Sequence, residues 1–356
     1  MSANKRCSDF QLRIYMELFL PLLICSSLLS AKPHNTTITQ IMQEKKYHGA
    51  ILEVLDLIYS QKYDLAESVL ETKIPYSEPG HLYFKGLLYC TVFNDYGDTS
   101  SLSSAKRQWQ KLKKMLEESK DYVKSGKKST VHPDLYSGLV LIQLSYISST
   151  RKQFLNAALQ SKAAVKMLRH QNQYLEAQCA NEIYRYYKGE LLKLLDWLPF
   201  FKVDQDRSRK FLEKNFHRSP YLYAIFLTPL IWMQFDAGSY QQGLQLTRDF
   251  LKKYPENRIF RLMEADFYFK MKKYGKSAKI FEEVKQEYSQ IYARNQNIKP
   301  VKINYLSASG NLLRVYAAMG NKKGQQENAA IWFSEESDKV RKWLPKSLVK
   351  DLERFR

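Results

Sequence analysis

The residues of this 356-residue chain that would first be asked for chemistry are six histidines, four cysteines and one lysine-rich loop. His34, His48, His81, His132, His170 and His217 stand apart, with no HExxH helix and no cysteine at metal-ligand spacing, so the sequence predicts neither a metal nor a cofactor. Gly126-Lys127-Lys128-Ser129-Thr130 has the outline of a phosphate-cradling loop, but that loop needs glycine where Asp121 stands and Ser or Thr where Lys128 stands. No GxSxG turn offers a serine nucleophile, and no motif around Cys90 or Cys179 would activate a thiol. Those two cysteines read as small buried hydrophobes, with pairing between them left open. Carboxylate pairs meet in space rather than in sequence, which leaves one enzymatic alternative, a helical toroid acting on an envelope polysaccharide. The main reading is non-enzymatic.

The elements that would carry these residues are helices. Glycine, at 13 residues, is too scarce for the tight turns of a many-stranded β protein. Apolar residues instead recur at three- and four-residue spacing in stretches such as Ile41–Ser60, Tyr63–Thr72, Tyr240–Lys253 and Tyr274–Tyr288, separated by short breaks. The stretches come in pairs, so the predicted class is all-α, a solenoid of antiparallel helix hairpins. At the N-terminus, Lys5, Arg6 and Arg13 precede the apolar run from Leu18 to Leu29, and Ala31 supplies a small residue before Lys32: the layout of a secretory signal over 1–31. From Leu18 to Ala31 a helix would reach only about 21 Å, short of a hydrocarbon core of about 30 Å. Export with cleavage is therefore preferred to a retained membrane anchor. The whole chain carries a formal charge of +20, of which the leader holds +1, leaving +19 to attract acidic proteins or anionic membrane surfaces. No zinc finger or RNP-type signature accompanies that charge, and nucleic acid is not a predicted partner.

Self-similarity sharpens the picture. Tyr240 and Tyr274 are 34 residues apart, each just after a break and before an amphipathic helix. Gly243 and Ser277 follow at the same offset and are small where two helices must approach closely; Pro255 ends the helix of the first unit. A third copy is predicted at Gln61-Lys62-Tyr63-Asp64-Leu65-Ala66 and a fourth around Ala318-Met319-Gly320-Asn321. In these features the chain resembles the tetratricopeptide repeat family, most clearly over 224–291. Departures are Pro229 inside a helix, and Arg261 and Glu264 where apolar residues are usual. The stretch between 85 and 215 is helical without a 34-residue period. The resulting division is a leader (1–31), an N-terminal helical region (32–195), a connection (196–218), a C-terminal repeat region (219–345) and a tail (346–356).

The resemblance implies a right-handed superhelix whose first helices line a concave face. In that register the ligand-facing positions are Ile225, Thr228, Trp232, Phe235 and Asp236 in one unit, and Ile259, Leu262, Asp266, Phe269 and Lys270 in the next. Trp232, Phe235, Asp236, Asp266, Phe269 and Lys270 are the candidate binding residues, because rigid rings beside charges suit an extended or helical peptide. At helical spacing, Phe235 and Phe269 equally suit a packed core. The predicted function is an exported scaffold that holds another protein or peptide. The alternative partner is an anionic membrane, with the chain as an adaptor that retains its apolar leader.

Overall fold

A computed structural model describes residues 47–124, 133–192, 204–219, 221–294, 302–341, 343–344 and 346–355. The predicted leader, the lysine-rich loop at 126–130 and much of the predicted connection lie outside them. Among the described residues there is no strand, and sixteen α-helices follow one another in chain order. Fourteen of them form seven hairpins: α1 (His48–Tyr59) with α2 (Tyr63–Lys73), α3 (Pro79–Tyr96) with α4 (Thr99–Lys124), and α5 (Pro133–Thr150) with α6 (Phe154–Arg169). Then come α7 (Leu175–Leu192) with α8 (Gln205–Asn215), α9 (Tyr223–Asp236) with α10 (Tyr240–Lys253), α11 (Arg258–Lys270) with α12 (Tyr274–Arg294), and α13 (Ile303–Met319) with α14 (Lys322–Trp332). Two short helices, α15 (Glu335–Arg341) and α16 (Lys346–Leu352), close the chain. Each helix packs chiefly on its neighbours in sequence, which makes the fold an all-α solenoid.

Five of the hairpin turns share one backbone device. Gln61, Lys152, Gly238, Lys272 and Gly320 all have φ between 59° and 74°. In each turn the amide of that residue donates to the carbonyl three residues back, and the next amide donates to the carbonyl five residues before itself. This double bond pattern is the Schellman motif; it satisfies the last carbonyls of the first helix and reverses the chain. Two residues further on stands an aromatic in four of the five turns: Tyr63, Phe154, Tyr240 and Tyr274. Five residues further on stands a small one in the same four: Ala66, Ala157, Gly243 and Ser277. Each of these four amides bonds to the carbonyl four residues back at 3.0–3.1 Å. The reason for small size is direct at Gly243, where a Cβ would lie 2.3 Å from the Phe267 ring. In the fifth turn the small residue comes one position early, as Gly324 seated on the Tyr316 ring.

Two departures noted in the sequence find physical accounts. Arg261 pairs with Glu283 at 2.9 Å and with Glu287, both on α12, while Glu264 accepts from Arg248 of α10 at 2.9 Å. Charged residues thus bridge α11 to its two neighbours where apolar packing is usual. Helix α9 runs through Pro229, which is buried and donates no hydrogen bond to the turn before it. The C-terminal segment, expected as a tail, is packed: Leu348 and Leu352 are buried, and Leu352 lies over Gly310 of α13. Within the predicted connection, α8 is held by an Asp204 cap on the Arg207 amide and by Ser208 donating to Glu182 of α7. Cys90 and Cys179 are free, buried thiols, and burial pushes that of Cys90 up to about 12. Among the described residues no helix is long and apolar enough to cross a membrane.

Candidate functional site

The positions expected to face a ligand lie on α9 and α11, and the Schellman turns fix where those helices stop. Near that end a three-part contact occurs twice. Phe235 packs edge-on against Tyr240 at 5.5 Å, and Phe269 packs at 5.7 Å against Tyr274, the pair one 34-residue period later. A cation from the following unit covers each phenylalanine: Lys270 Nζ sits 5.1 Å from the Phe235 ring, and the Arg314 guanidinium of α13 sits 4.9 Å from the Phe269 ring. Arg314 is one helical turn further from its own hairpin turn than Lys270 is from its own. The register of the cation drifts while its role against the ring is kept.

Burial separates the six candidate residues. Trp232 and Phe235 are core residues, 9% and 5% exposed, with Phe235 held between Trp232, Tyr240 and Phe267. Asp236, Asp266, Phe269 and Lys270 remain half-buried. The structure therefore brings the six to one end of two adjacent helices, but leaves a charged rim rather than an aromatic lining facing outward. Of the other positions expected to face a ligand, Ile225 and Ile259 pack on the main core, and Leu262 packs with Phe269 on the cluster containing Ala265, Leu312 and Val315.

The electrostatics of that rim centre on Asp266. Burial pushes its carboxyl up to about 7, against the opposing pull of Arg314 and Lys270, so near neutrality it exchanges a proton. Arg314 is itself committed elsewhere: its Nε lies 3.1 Å from Asp351 of α16, and its Nη1 donates to Asn311 at 3.2 Å. The rim thus offers two carboxylates, that of Asp266 variable in charge, with one lysine and one partly covered aromatic. That set can hold a polar or charged side chain of a ligand. Among the described residues no three His, Cys, Asp or Glu side chains are grouped as a metal site.

A second constellation escaped the sequence. Asp95, at the end of α3, is fully buried and accepts from Tyr63 Oη at 2.9 Å, Tyr288 Oη at 2.8 Å and Arg258 Nε at 3.1 Å. The Arg258 guanidinium lies between the Tyr96 and Tyr288 rings, 5.6 Å from each centroid. Burial and the neighbouring carboxylate push both hydroxyls, Tyr63 and Tyr288, well above the ordinary phenol value. Asn304 of α13 adds bonds to the carbonyls of Asn94 and Asp95, at 2.7 and 2.8 Å. These contacts tie the first two hairpins to the last two across separations of 163 to 210 residues. The only sequence signal was the charge type of Asp95 and Arg258, with nothing to link them. Every oxygen of Asp95 is engaged, so the group works as a clamp rather than as a reactive site.

No protein-family model matches the chain, and no curated protein matches it. The class the fold defines, an all-α solenoid of helix hairpins, rests on the geometry alone.

Proposed function

We propose that the chain is a non-enzymatic, tetratricopeptide-like scaffold, delivered by a secretory signal, that holds a protein or peptide segment against the rim formed by Asp236, Asp266, Phe269 and Lys270. The observation that carries this reading is the repeated ring, tyrosine and cation arrangement at the C-terminal ends of α9 and α11. Its first copy is buried and its second, at Phe269, stays partly open beside Asp266 and Lys270, so the repeat leaves a supported, partly exposed ring among charges. Pre-stacked helices lose little conformational freedom on binding, and the net charge of +19 left after the leader draws in acidic segments. Trp232 and Phe235 act from below, fixing the rim rather than touching the ligand.

Selection from a displayed peptide library on the full chain, followed by competition with Asp266→Lys and Lys270→Glu, tests the proposal. Both side chains are half-buried. Lys270→Glu is expected to melt with the parent chain and Asp266→Lys, which sets a third cation beside Arg314 and Lys270, to melt lower. Each, assayed below its melting range, should lose the selected peptides at least about tenfold, the effect of one good charge-assisted contact. Peptides that bind all three proteins alike would place recognition elsewhere. N-terminal sequencing of the mature chain tests the export step: a start at Lys32 supports it, and a retained Met1 overturns it.

A further inference from the structure

The turn joining α11 to α12 and the turn joining α13 to α14 are neighbours. Phe269 and Tyr274, flanking the first, pack in one cluster with Val315 and Tyr316, which flank the second. Between them they display Lys272, Lys273, Lys276, Lys322 and Lys323, all exposed. No Asp or Glu occurs from 267 to 281 or from 315 to 326. Some lysines elsewhere are matched, Lys73 with Glu53, Lys252 with Asp249 and Lys302 with Glu336 at 2.6 Å and Lys253 with Asp56 at 2.8 Å, while others such as Lys152 and Lys210 stand singly. What sets this edge apart is five exposed lysines on two adjoining acid-free segments. Among the described residues, Lys272, Lys273, Lys322 and Lys323 have no acidic partner within ion-pair distance. Beside them Met319 is 47% exposed, one of few large hydrophobics so placed.

We propose that this edge of the solenoid docks on an anionic phospholipid bilayer. The chemistry favours a lipid surface over an acidic protein. Protein recognition concentrates its energy in aromatic or arginine anchors seated in pockets. This edge instead offers flexible ammonium groups on two loop tips, with one apolar side chain among them. Such groups adapt to a fluid layer of headgroups, each lysine near the surface contributing about 1 kcal/mol, while a methionine enters the boundary between headgroups and acyl chains. This edge borders the peptide rim, whose Phe269 and Lys270 end α11 just before Lys272, but the lysines tested below are not among the rim residues.

Sedimentation of the full chain with vesicles tests it, comparing phosphatidylcholine alone with phosphatidylcholine carrying about 30% phosphatidylserine. The leader is common to every variant, so the difference between parent and variant in the anionic increment reports on the edge lysines. That increment is expected to fall at least about tenfold in Lys272→Glu/Lys273→Glu/Lys322→Glu/Lys323→Glu, and by a smaller factor in the corresponding quadruple Gln variant, with melting unchanged. It should also vanish as salt shortens the screening length from about 10 Å to about 3 Å. Equal binding to both vesicles, or an increment that survives the four substitutions, overturns the proposal. Loss of polyglutamate binding in the Glu variant, with vesicle binding intact, also overturns it and assigns the edge to an acidic protein.

Discussion

The two ends of α11 receive opposite treatment. At its N-terminus Asn257 caps the helix by accepting from the Phe260 amide while its own amide donates to the Tyr59 carbonyl of the first hairpin, and Arg258 is clamped on Asp95. Around that end Tyr254 donates to Asp56 at 2.8 Å, and Tyr59 packs on Phe250 and Tyr254. Lys253 pulls the Asp56 carboxyl below its ordinary value. At its C-terminus, thirteen residues away, the chain turns through Lys272 and Lys273 with nothing laid over them. One end is a seam between distant parts of the solenoid, the other a free edge. A charge in the seam is tolerated only because each of its hydrogen-bonding positions is met, whereas water alone serves the edge. Substitutions should therefore cost most at the seam and least at the edge.

Asp95→Asn is expected to have the largest effect. It leaves the Arg258 guanidinium buried without its counter-charge, a loss of about 3–5 kcal/mol in urea unfolding. Arg258→Met added to it should restore part of that loss, since the double variant buries no lone charge. A single-variant cost below about 1 kcal/mol would mean that the seam opens in solution and that the contrast between the two ends is false. Gly243→Ala comes next, at about 1–3 kcal/mol, because the added methyl meets the Phe267 ring 2.3 Å away and Gln234 Cβ 3.3 Å away. Gly275→Ala on α12 is its control. There the methyl enters open space, and a gain of about 0.5–1 kcal/mol is expected from helix propensity alone.

Much of this pattern was legible in the sequence where it was local. Tyr240 and Tyr274 mark equivalent places in consecutive hairpins, and the turns expected at Gln61 and Gly320 occur there with the same bonds. The turn at Lys152 carries the same signature, Phe154 then Ala157, yet it went unread. It lies 91 residues after Gln61 and 86 before Gly238, so no fixed period led to it. The repeat is kept in backbone geometry while helix lengths vary, from 11 residues in α2 to 26 in α4. The rim was half legible. Helical spacing put Trp232 and Phe235 on the ligand-facing side, but their burial is decided by Phe267 and Lys270 arriving from the next unit. The Asp95 clamp was not legible at all, because side chains 163 residues apart meet only when the solenoid brings its first hairpins against its last.

Turn chemistry gives smaller effects. Gly320→Ala places a methyl on a residue at φ 70°, where an L side chain crowds the following carbonyl, and should cost about 1–2 kcal/mol by thermal unfolding. Asp266, at the rim, gives a slope rather than a step. Its carboxyl is raised from the ordinary 3.8 to about 7 in the folded chain, so the native state holds more protons than the unfolded one between those values. Stability therefore declines as pH rises from about 4 to about 7 and levels off above that range. Asp266→Asn should flatten that segment of the unfolding profile, and an unchanged profile would show the carboxyl to be solvated. The half-buried side chain keeps some contact with water, which holds the amplitude below that of a fully enclosed carboxyl.

The smallest effect, and the sharpest reading of the free edge, belongs to Lys272→Gly. Lys272 adopts φ 60° with a side chain attached, which costs about 1–2 kcal/mol relative to glycine. Glycine in turn loses more freedom on folding, by about 0.5–1 kcal/mol. If the Lys272 side chain touches nothing, the first effect exceeds the second, and the substitution should stabilise the chain by a few tenths to about 1 kcal/mol in a thermal melt. Lowering the lysine density of two adjacent turns acts in the same direction, and this part should disappear in high salt. A destabilised variant would mean that Lys272 holds a partner in the folded chain. The C-terminal end of α11 would then be a second seam, and the opposition between the two ends of the helix would not hold.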